Sequence, residues 1–386
     1  MHFSQRTDWH TEESELARAR RLRREAGLPI ADLTASNPTR CGFAYPASLL
    51  DGLADPRALD YDPQPIGLFH ARKAVCAYYA AHGVDLDPGQ IVLTTSTSEA
   101  YSFLFRLLSN AGDEVLILQP GYPLFDFLAA LDDVRLKAAP LIYENGWQID
   151  AEGMRRAITP HTRAIVVVHP NNPTGHFTKA REAAELALLC RELDLALIVD
   201  EVFLDYGLSV EGTSFASGLE GVPVFVVSGL SKVAGLPQMK AAWIVVTGPE
   251  QEQALARLEI IADTFLSMNA PVQWALADWL TGRTAIRDQI RNRVAANLAA
   301  LDRQLAALPA VQRLVLEGGW YAVLRVPAFQ PDEQTALALL ERGAGVHPGY
   351  FFGMPESGWL VISLLVPESE FRTGVTILID YFRTNL

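Results

Sequence analysis

Lys232 is the residue of this chain best placed by its neighbours to do chemistry. The 386-residue sequence holds five lysines, at 73, 137, 179, 232 and 240. Lys73 and Lys179 fall in helical patterns among exposed residue types, and Lys137 lies in an alternating, edge-like segment. Lys232 alone follows a wholly apolar run, Val224–Val227, through Ser228-Gly229-Leu230-Ser231. A lysine partly withdrawn from water has a lowered pKa and becomes a nucleophile for a carbonyl carbon. A surface lysine in a loop is the plain alternative, and position alone does not separate the two.

Other polar groups follow apolar runs in the same way. Ala164–Val168 leads into His169-Pro170-Asn171-Asn172-Pro173-Thr174-Gly175, and Ala196–Val199 ends on Asp200 and Glu201. Ile91–Thr94 leads into Thr95-Ser96-Thr97-Ser98 and a helical pattern. Asp200 reads as a cap for a following helix, or as a carboxylate that keeps a pyridinium nitrogen protonated. Ser96 and Glu99 read as a capping box, yet a helix start with consecutive hydroxyls also suits a phosphate. The Asn-Pro-Thr-Gly string by itself is a turn. Their joint placement after successive strands carries more than any one of them.

The elements that must position these residues alternate. The runs above, with Val115–Leu118, are short, rich in Val, Ile and Leu, and bounded by turn residues, which predicts buried strands. Between them lie helical patterns at Ser98–Leu108, Phe125–Leu131 and Ala180–Leu193. The fold class expected is α/β, a mostly parallel sheet sandwiched by helices, with ligands beyond the carboxyl ends of its strands. The connection from Val227 to Ala242–Val246 has no room for a crossover helix, so that strand is expected to be antiparallel. Helical patterns follow near Glu252–Met268, Val272–Leu280 and Ala285–Leu308. Then come strand Trp320–Val326, helix Glu333–Arg342, strand Trp359–Leu364 and helix Glu368–Arg383. The division expected is a large domain over 46–285 and a smaller α+β domain from 1–45 and 286–386.

Composition excludes several classes. A net charge of −13 argues against nucleic acid or an anionic membrane as the main partner. Cys41, Cys76 and Cys190 are dispersed, odd in number and form no CxxC pair, which excludes a disulfide framework or zinc ribbon and fits a reducing cytoplasm. The start, MHFSQRTDWH, is not a signal peptide, and no run of about 18 apolar residues predicts a membrane span. The arginines from Arg18 to Arg24 are flanked by Glu12, Glu13, Glu15 and Glu25 and read as the solvated face of a helix.

Taken together, Asn172-Pro173-Thr174-Gly175, Asp200-Glu201-Val202 and Ser231-Lys232 resemble, in order and spacing, the fold-type-I class I/II aminotransferases. The resemblance extends to Tyr61 with Gly67, Gly112-Asp113-Glu114-Val115, Pro120-Gly121-Tyr122-Pro123 and Gly318-Gly319-Trp320-Tyr321, and so spans roughly residues 30 to 386. It implies pyridoxal 5'-phosphate as cofactor, held as a Schiff base on Lys232, which then shuttles the proton. Asp200 would pair with the pyridine nitrogen, Asn172 would bond the ring's phenolic oxygen, and Tyr122 would stack on the ring. Ser96, Thr97 and Ser98, with Ser231 and Lys240 nearby, would hold the phosphate. Tyr61 would reach the phosphate of the neighbouring subunit in a homodimer with shared sites.

The sequence departs from the family pattern in places. Phe203 stands where a tyrosine usually helps hold the phenolic oxygen, so the imine pKa is expected above that of a typical member. Lys240 replaces an arginine, a point charge for a bidentate fork. Gly229 replaces a common serine. Val361, in Gly358-Trp359-Leu360-Val361-Ile362-Ser363, replaces the arginine that grips the substrate α-carboxylate. Arg40 and Arg325 are candidate substitutes, each also readable as structural.

The expected function is a pyridoxal-phosphate-dependent aminotransferase that moves an amino group between an amino acid or amine and a 2-oxo acid. A lyase, decarboxylase or cyclising synthase of the same fold keeps the cofactor and changes the outcome. A non-catalytic cofactor- or ligand-binding protein is a third reading. A nicotinamide dehydrogenase is disfavoured, because no G-x-G-x-x-G follows an early strand.

Overall fold

Short apolar runs bounded by turns assemble into one eight-stranded sheet. The structure is a computed structural model that describes residues 1–9, 11–355 and 357–385. Across the sheet the order is Ile91–Thr94, Ala242–Thr247, Val224–Gly229, Ala196–Asp200, Thr162–Val168, Glu114–Gln119, Arg135–Tyr143 and Trp147–Ile149. The four strands from Val224–Gly229 to Glu114–Gln119 are mutually parallel, as is Arg135–Tyr143 beside them. Ala242–Thr247 runs antiparallel to both of its neighbours, as its short connection requires. The edge strand Trp147–Ile149 and the helix Ala151–Ala157 escaped the sequence reading; three and seven residues give little periodicity to read.

Alternate residues of each strand enter opposite faces, the period of a pleated strand. Val166, Ile198, Phe225 and Ile244 pack with Tyr101, Phe105 and Leu258 from helices Thr97–Leu108 and Gln251–Phe265. Val167, Leu197, Val226 and Trp243 pack on the other face with Tyr78, Leu186 and Leu276 from helices Phe69–Ala80, Ala180–Leu193 and Ala270–Gly282. Both faces are therefore dry, which is why these strands read as continuous apolar runs.

A second, four-stranded antiparallel sheet is ordered Gln312–Arg313, Tyr321–Arg325, Trp359–Ser363 and His347–Pro348. Helices Thr284–Leu305, Asp332–Arg342 and Glu368–Asn385 accompany it. The N-terminal part joins this body: Ala31–Asp32 pairs in parallel with Ala344–Gly345, and helix Glu15–Glu25 packs on Asp332–Arg342. Glu15–Glu25 buries none of its residues, and its Arg21 pairs with Glu13 and Glu25 in solvent.

Candidate active site

Register places the polar residues on one rim. Asp200 is level with Val168 on one neighbouring strand and Val227 on the other. Their ends are zipped by His169 N donating to Asp200 O at 2.7 Å and Glu201 N donating to Val227 O at 2.8 Å. With strands about 4.8 Å apart, the loops that carry Asn172 and Lys232 leave from either side of Asp200. On the next strands Gly229 and Thr94 are both level with Ala242, so the turn into Ser96 leaves from the same rim.

Lys232 stands in a four-residue helix, Leu230–Val233, whose backbone is fixed from below. The Tyr206 phenol donates to Lys232 O at 2.7 Å, and Leu230 N donates to Ala241 O at 2.9 Å. The Lys232 ammonium lies 5.6 Å from the Trp320 ring centre and 6.0 Å from that of Phe203. Burial lowers its pKa, and the Asp200 charge offsets part of that. Burial conversely pushes the Asp200 carboxyl up to about 6, against hydrogen bonds from Val202 N at 3.0 Å and the Tyr101 phenol at 3.1 Å. Glu201 beside it is fully buried and pushed up to about 8, though it accepts from Ser214 Oγ and Phe215 N.

The turn that carries Asn172 is clamped between the two sheets. Asn171 Oδ1 accepts from Thr174 Oγ1 at 2.8 Å, and Gly318 N donates to Gly175 O at 3.0 Å. Gly175 has φ +69°, and a Cβ there would sit 2.3 Å from Gly318 O. Behind the turn the buried His176 ring meets Glu182 at 2.9 Å and Glu317 at 3.6 Å. Burial pulls its pKa down, but these two carboxylates outweigh that and leave it raised. Glu317 also accepts from Phe177 N at 2.9 Å and pairs with Lys179 at 2.5 Å. The Gly318-Gly319 turn thereby seats Trp320, wholly buried, edge-on to Phe203 at 5.2 Å and Tyr206 at 5.0 Å.

The remaining sequence candidates are placed as follows. Ser96 caps helix Thr97–Leu108, accepting from Glu99 N at 3.1 Å. The capping box is not reciprocal as expected: Glu99 turns back to Thr95 N at 2.7 Å, one residue beyond the cap's own N–H, and accepts from Ser267. Thr97, Ser98 and Ser231 are half-buried near the rim, and Tyr122 is half-buried, edge-on to Phe125 at 5.6 Å. Tyr122 feels burial first and the Asp200 charge second, both raising its pKa. Lys240 is exposed, at a left-handed backbone position with φ +51°. Tyr61 is 83% exposed. Phe203 is buried beside Lys232, and Val361 is wholly buried in the second sheet, level with Val323 and His347.

A family model for class I and II aminotransferases matches residues 53–378. The chain belongs to that family. This aminotransferase is 30% identical over 282 residues to the glutamate-pyruvate aminotransferase AlaA of Escherichia coli strain K12, covering 71% of this chain and 69% of the relative. It is 30% identical over 372 residues to the aspartate/prephenate aminotransferase of Thermus thermophilus, covering 93% and 92%. Its fold matches the alanine aminotransferase from Pyrococcus furiosus with a TM-score of 0.91 at 23% identity, over 99% of this chain and all of that one. It is therefore a pyridoxal-phosphate-dependent enzyme of the fold expected.

The residues on the rim fit that cofactor. Asn172 Oδ1 is buried with no hydrogen-bond partner among the described residues, and a buried amide oxygen left so is costly unless a ligand satisfies it. Asp200 is a buried carboxylate whose charge meets only Lys232 opposite it, as a partner for a cationic ring requires. Sequence reasoning missed Tyr101, Tyr206 and the wall formed by Trp320. Tyr101 carried no signal distinct from the apolar stripe of its helix; Trp320 lies in the Gly-Gly turn already singled out.

Proposed function

We propose that Lys232 links the cofactor covalently and that this aminotransferase passes an amino group from a small-molecule amino donor to a 2-oxo acid acceptor. The convergence of a pKa-lowered Lys232 and a buried Asp200 on one rim carries the reading. When bound, the pyridine ring supplies an electron sink for charge developing at the substrate α-carbon. Asp200, held by Tyr101 and Val202 N, keeps a proton at the ring nitrogen. Asn172 bonds the ring oxygen, and Tyr122 covers one ring face. Lys232, whose pKa burial lowers, would serve as the base that takes a proton from the substrate α-carbon and as the acid that gives it back. Trp320 and Phe203 keep water from the ammonium.

The helix start at Ser96, Thr97 and Ser98, with Ser231 and the Lys240 charge, holds the phosphate. Tyr61, projecting into solvent from this chain, completes the site of a second copy in a homodimer. The working division remains 46–285 against 1–45 with 286–386; position 285 falls in the first turn of Thr284–Leu305. Three free cysteines support a cytoplasmic location. No helix among the described residues is long and apolar enough to cross a membrane.

The decisive experiment is an absorbance spectrum of the purified protein with pyridoxal phosphate, before and after adding amino acids and simple amines. A visible band that converts to the amine-form spectrum with certain donors is expected, and Lys232→Ala should abolish the band while the protein stays folded. An unchanged band in the Lys232→Ala variant would sink the assignment. A wild-type band that no donor converts would favour lyase-type chemistry.

A further inference from the structure

Val361 leaves the substrate end of the site without the guanidinium that the family pattern puts there, and the structure sorts the candidate replacements. Arg325 is half-buried and stacked on the Trp359 ring at 4.2 Å. It lines an apolar cavity of about 520 Å³, with Gln119, Leu141, Trp147 and Met354, that contains none of Lys232, Asp200 or Asn172. Arg20 is taken up by Asp32 at 2.5 Å and Thr34 at 2.8 Å. Arg293 donates to Cys41 O and Leu365 O, both at 3.2 Å. Each of these three has its hydrogen bonds or stacking partner already.

Arg40 differs. The segment that carries it is stapled along the edge of the site at both ends. Ser363, two residues past Val361, donates its N–H to Leu33 O at 2.7 Å. At the other end the Tyr45 phenol donates to Gly235 O at 2.8 Å, three residues past Lys232. Burial raises the Tyr321 phenol, Ser36 offsets part of that and Tyr122 adds to it, while burial and then the Asp200 charge raise Tyr122. Arg40 follows Ser36 by a single turn, on the stretch held between the Ser363 and Gly235 contacts. That turn, Pro38–Arg40, is fixed by Asn37 Oδ1 accepting from Thr39 N at 3.1 Å, and by the Arg293 bond to Cys41 O. Its backbone is held while its side chain is exposed. Among the described residues no carboxylate pairs with that side chain.

We propose that Arg40 grips the substrate α-carboxylate in place of the guanidinium that Val361 lacks, so that the amino donor is an α-amino acid. The proposal rests on the aminotransferase reading of the rim and names the substrate class for it. A guanidinium suits the task because its planar fork meets a carboxylate with two parallel hydrogen bonds.

The test titrates the visible band of the cofactor-loaded enzyme with an amino acid that reacts, and with the amine that lacks its carboxylate. Arg40→Ala should weaken the amino-acid titration by about 10- to 100-fold, the loss of a charge-assisted pair, and leave the amine titration unchanged. Arg40→Lys should recover part of it, and Arg325→Ala should match wild type in both titrations. A second readout is protection: an unreactive carboxylate such as propionate should compete with the amino acid in wild type but not in Arg40→Ala. Equal titrations in Arg40→Ala and wild type, or a loss confined to Arg325→Ala, would overturn the proposal while the band itself kept the aminotransferase reading intact. A wild type that reacts with amines at least as well as with amino acids would overturn it too. A wild type with no band would remove both.

Discussion

The Tyr101 phenol donates to Asp200 Oδ2 at 3.1 Å, and Val202 N donates to the other oxygen at 3.0 Å. One donor comes from the helix that Ser96 caps, the other from just past the strand end itself. Tyr101 therefore aims the carboxylate and stabilises its charge. In Tyr101→Phe the carboxyl should rise further above about 6, and kcat should fall by about tenfold or more with KM little changed. Steady-state kinetics with one donor and acceptor pair decide it; a change confined to KM would assign Tyr101 to substrate binding instead.

Phe203 lies 6.0 Å from Lys232 Nζ and 5.2 Å from Trp320, where the family pattern has a phenol. Restoring it in Phe203→Tyr adds one hydrogen-bond donor toward the anionic ring oxygen. The pH at which the visible band titrates should drop by about one unit. A band that titrates no lower in the variant contradicts the role given to this position.

Gly229 also departs from the family pattern, and the structure gives a steric reason. A Cβ at this extended position would lie 2.8 Å from Ala242 Cβ and 3.0 Å from Ala241 O. Gly229→Ser, though it restores a family hydroxyl, should cost about 1–3 kcal/mol of stability through overpacking. Adding Ala242→Gly should recover part of the loss. Thermal midpoints of the single and double variants decide it; a Gly229→Ser protein as stable as wild type refutes the clash.

Glu201 predicts a pH slope. An acid whose folded pKa is raised stabilises the fold below its unfolded pKa, and that contribution is lost as pH rises through the folded value, here about 8. His176, also raised, acts in the same direction above its unfolded value. The buried His169 and His347, held down to about 3 and about 4, act oppositely, but only below about pH 6.5. Between about pH 6.5 and 8 Glu201 and His176 should therefore cost the cofactor-free protein thermal stability as pH rises, while Lys232, its pKa lowered by burial, pulls the other way. Glu201→Gln should flatten that slope while keeping its bonds to Ser214 and Phe215; an unchanged slope would assign it elsewhere.

How much of this was legible in the sequence follows from what each residue contacts. The convergence of Lys232, Asp200 and Asn172 on one rim was legible because Asp200 ends a strand and the other two stand within four residues of one, and strand ends are marked by where an apolar run stops. The antiparallel strand Ala242–Thr247 was legible from a connection too short for a helix. Tyr101 was not, because its polar end acts at the far tip of an otherwise ordinary core side chain. The direction of the Glu99 cap was missed by one residue, since a capping pattern does not say which N–H the carboxylate reaches. Nor did sequence separate Arg40 from Arg325: the difference is a stacking partner, Trp359, brought in by strand pairing 34 residues away.

Glu317 comes from the loop that joins two paired strands of the second sheet, yet it serves His176, Phe177 and Lys179, which follow the asparagine turn. The two bodies therefore share a fulcrum one side chain behind Asn172. A displacement of the Glu317 loop would be passed through the His176 ring and the Phe177 backbone to the turn that carries Asn172.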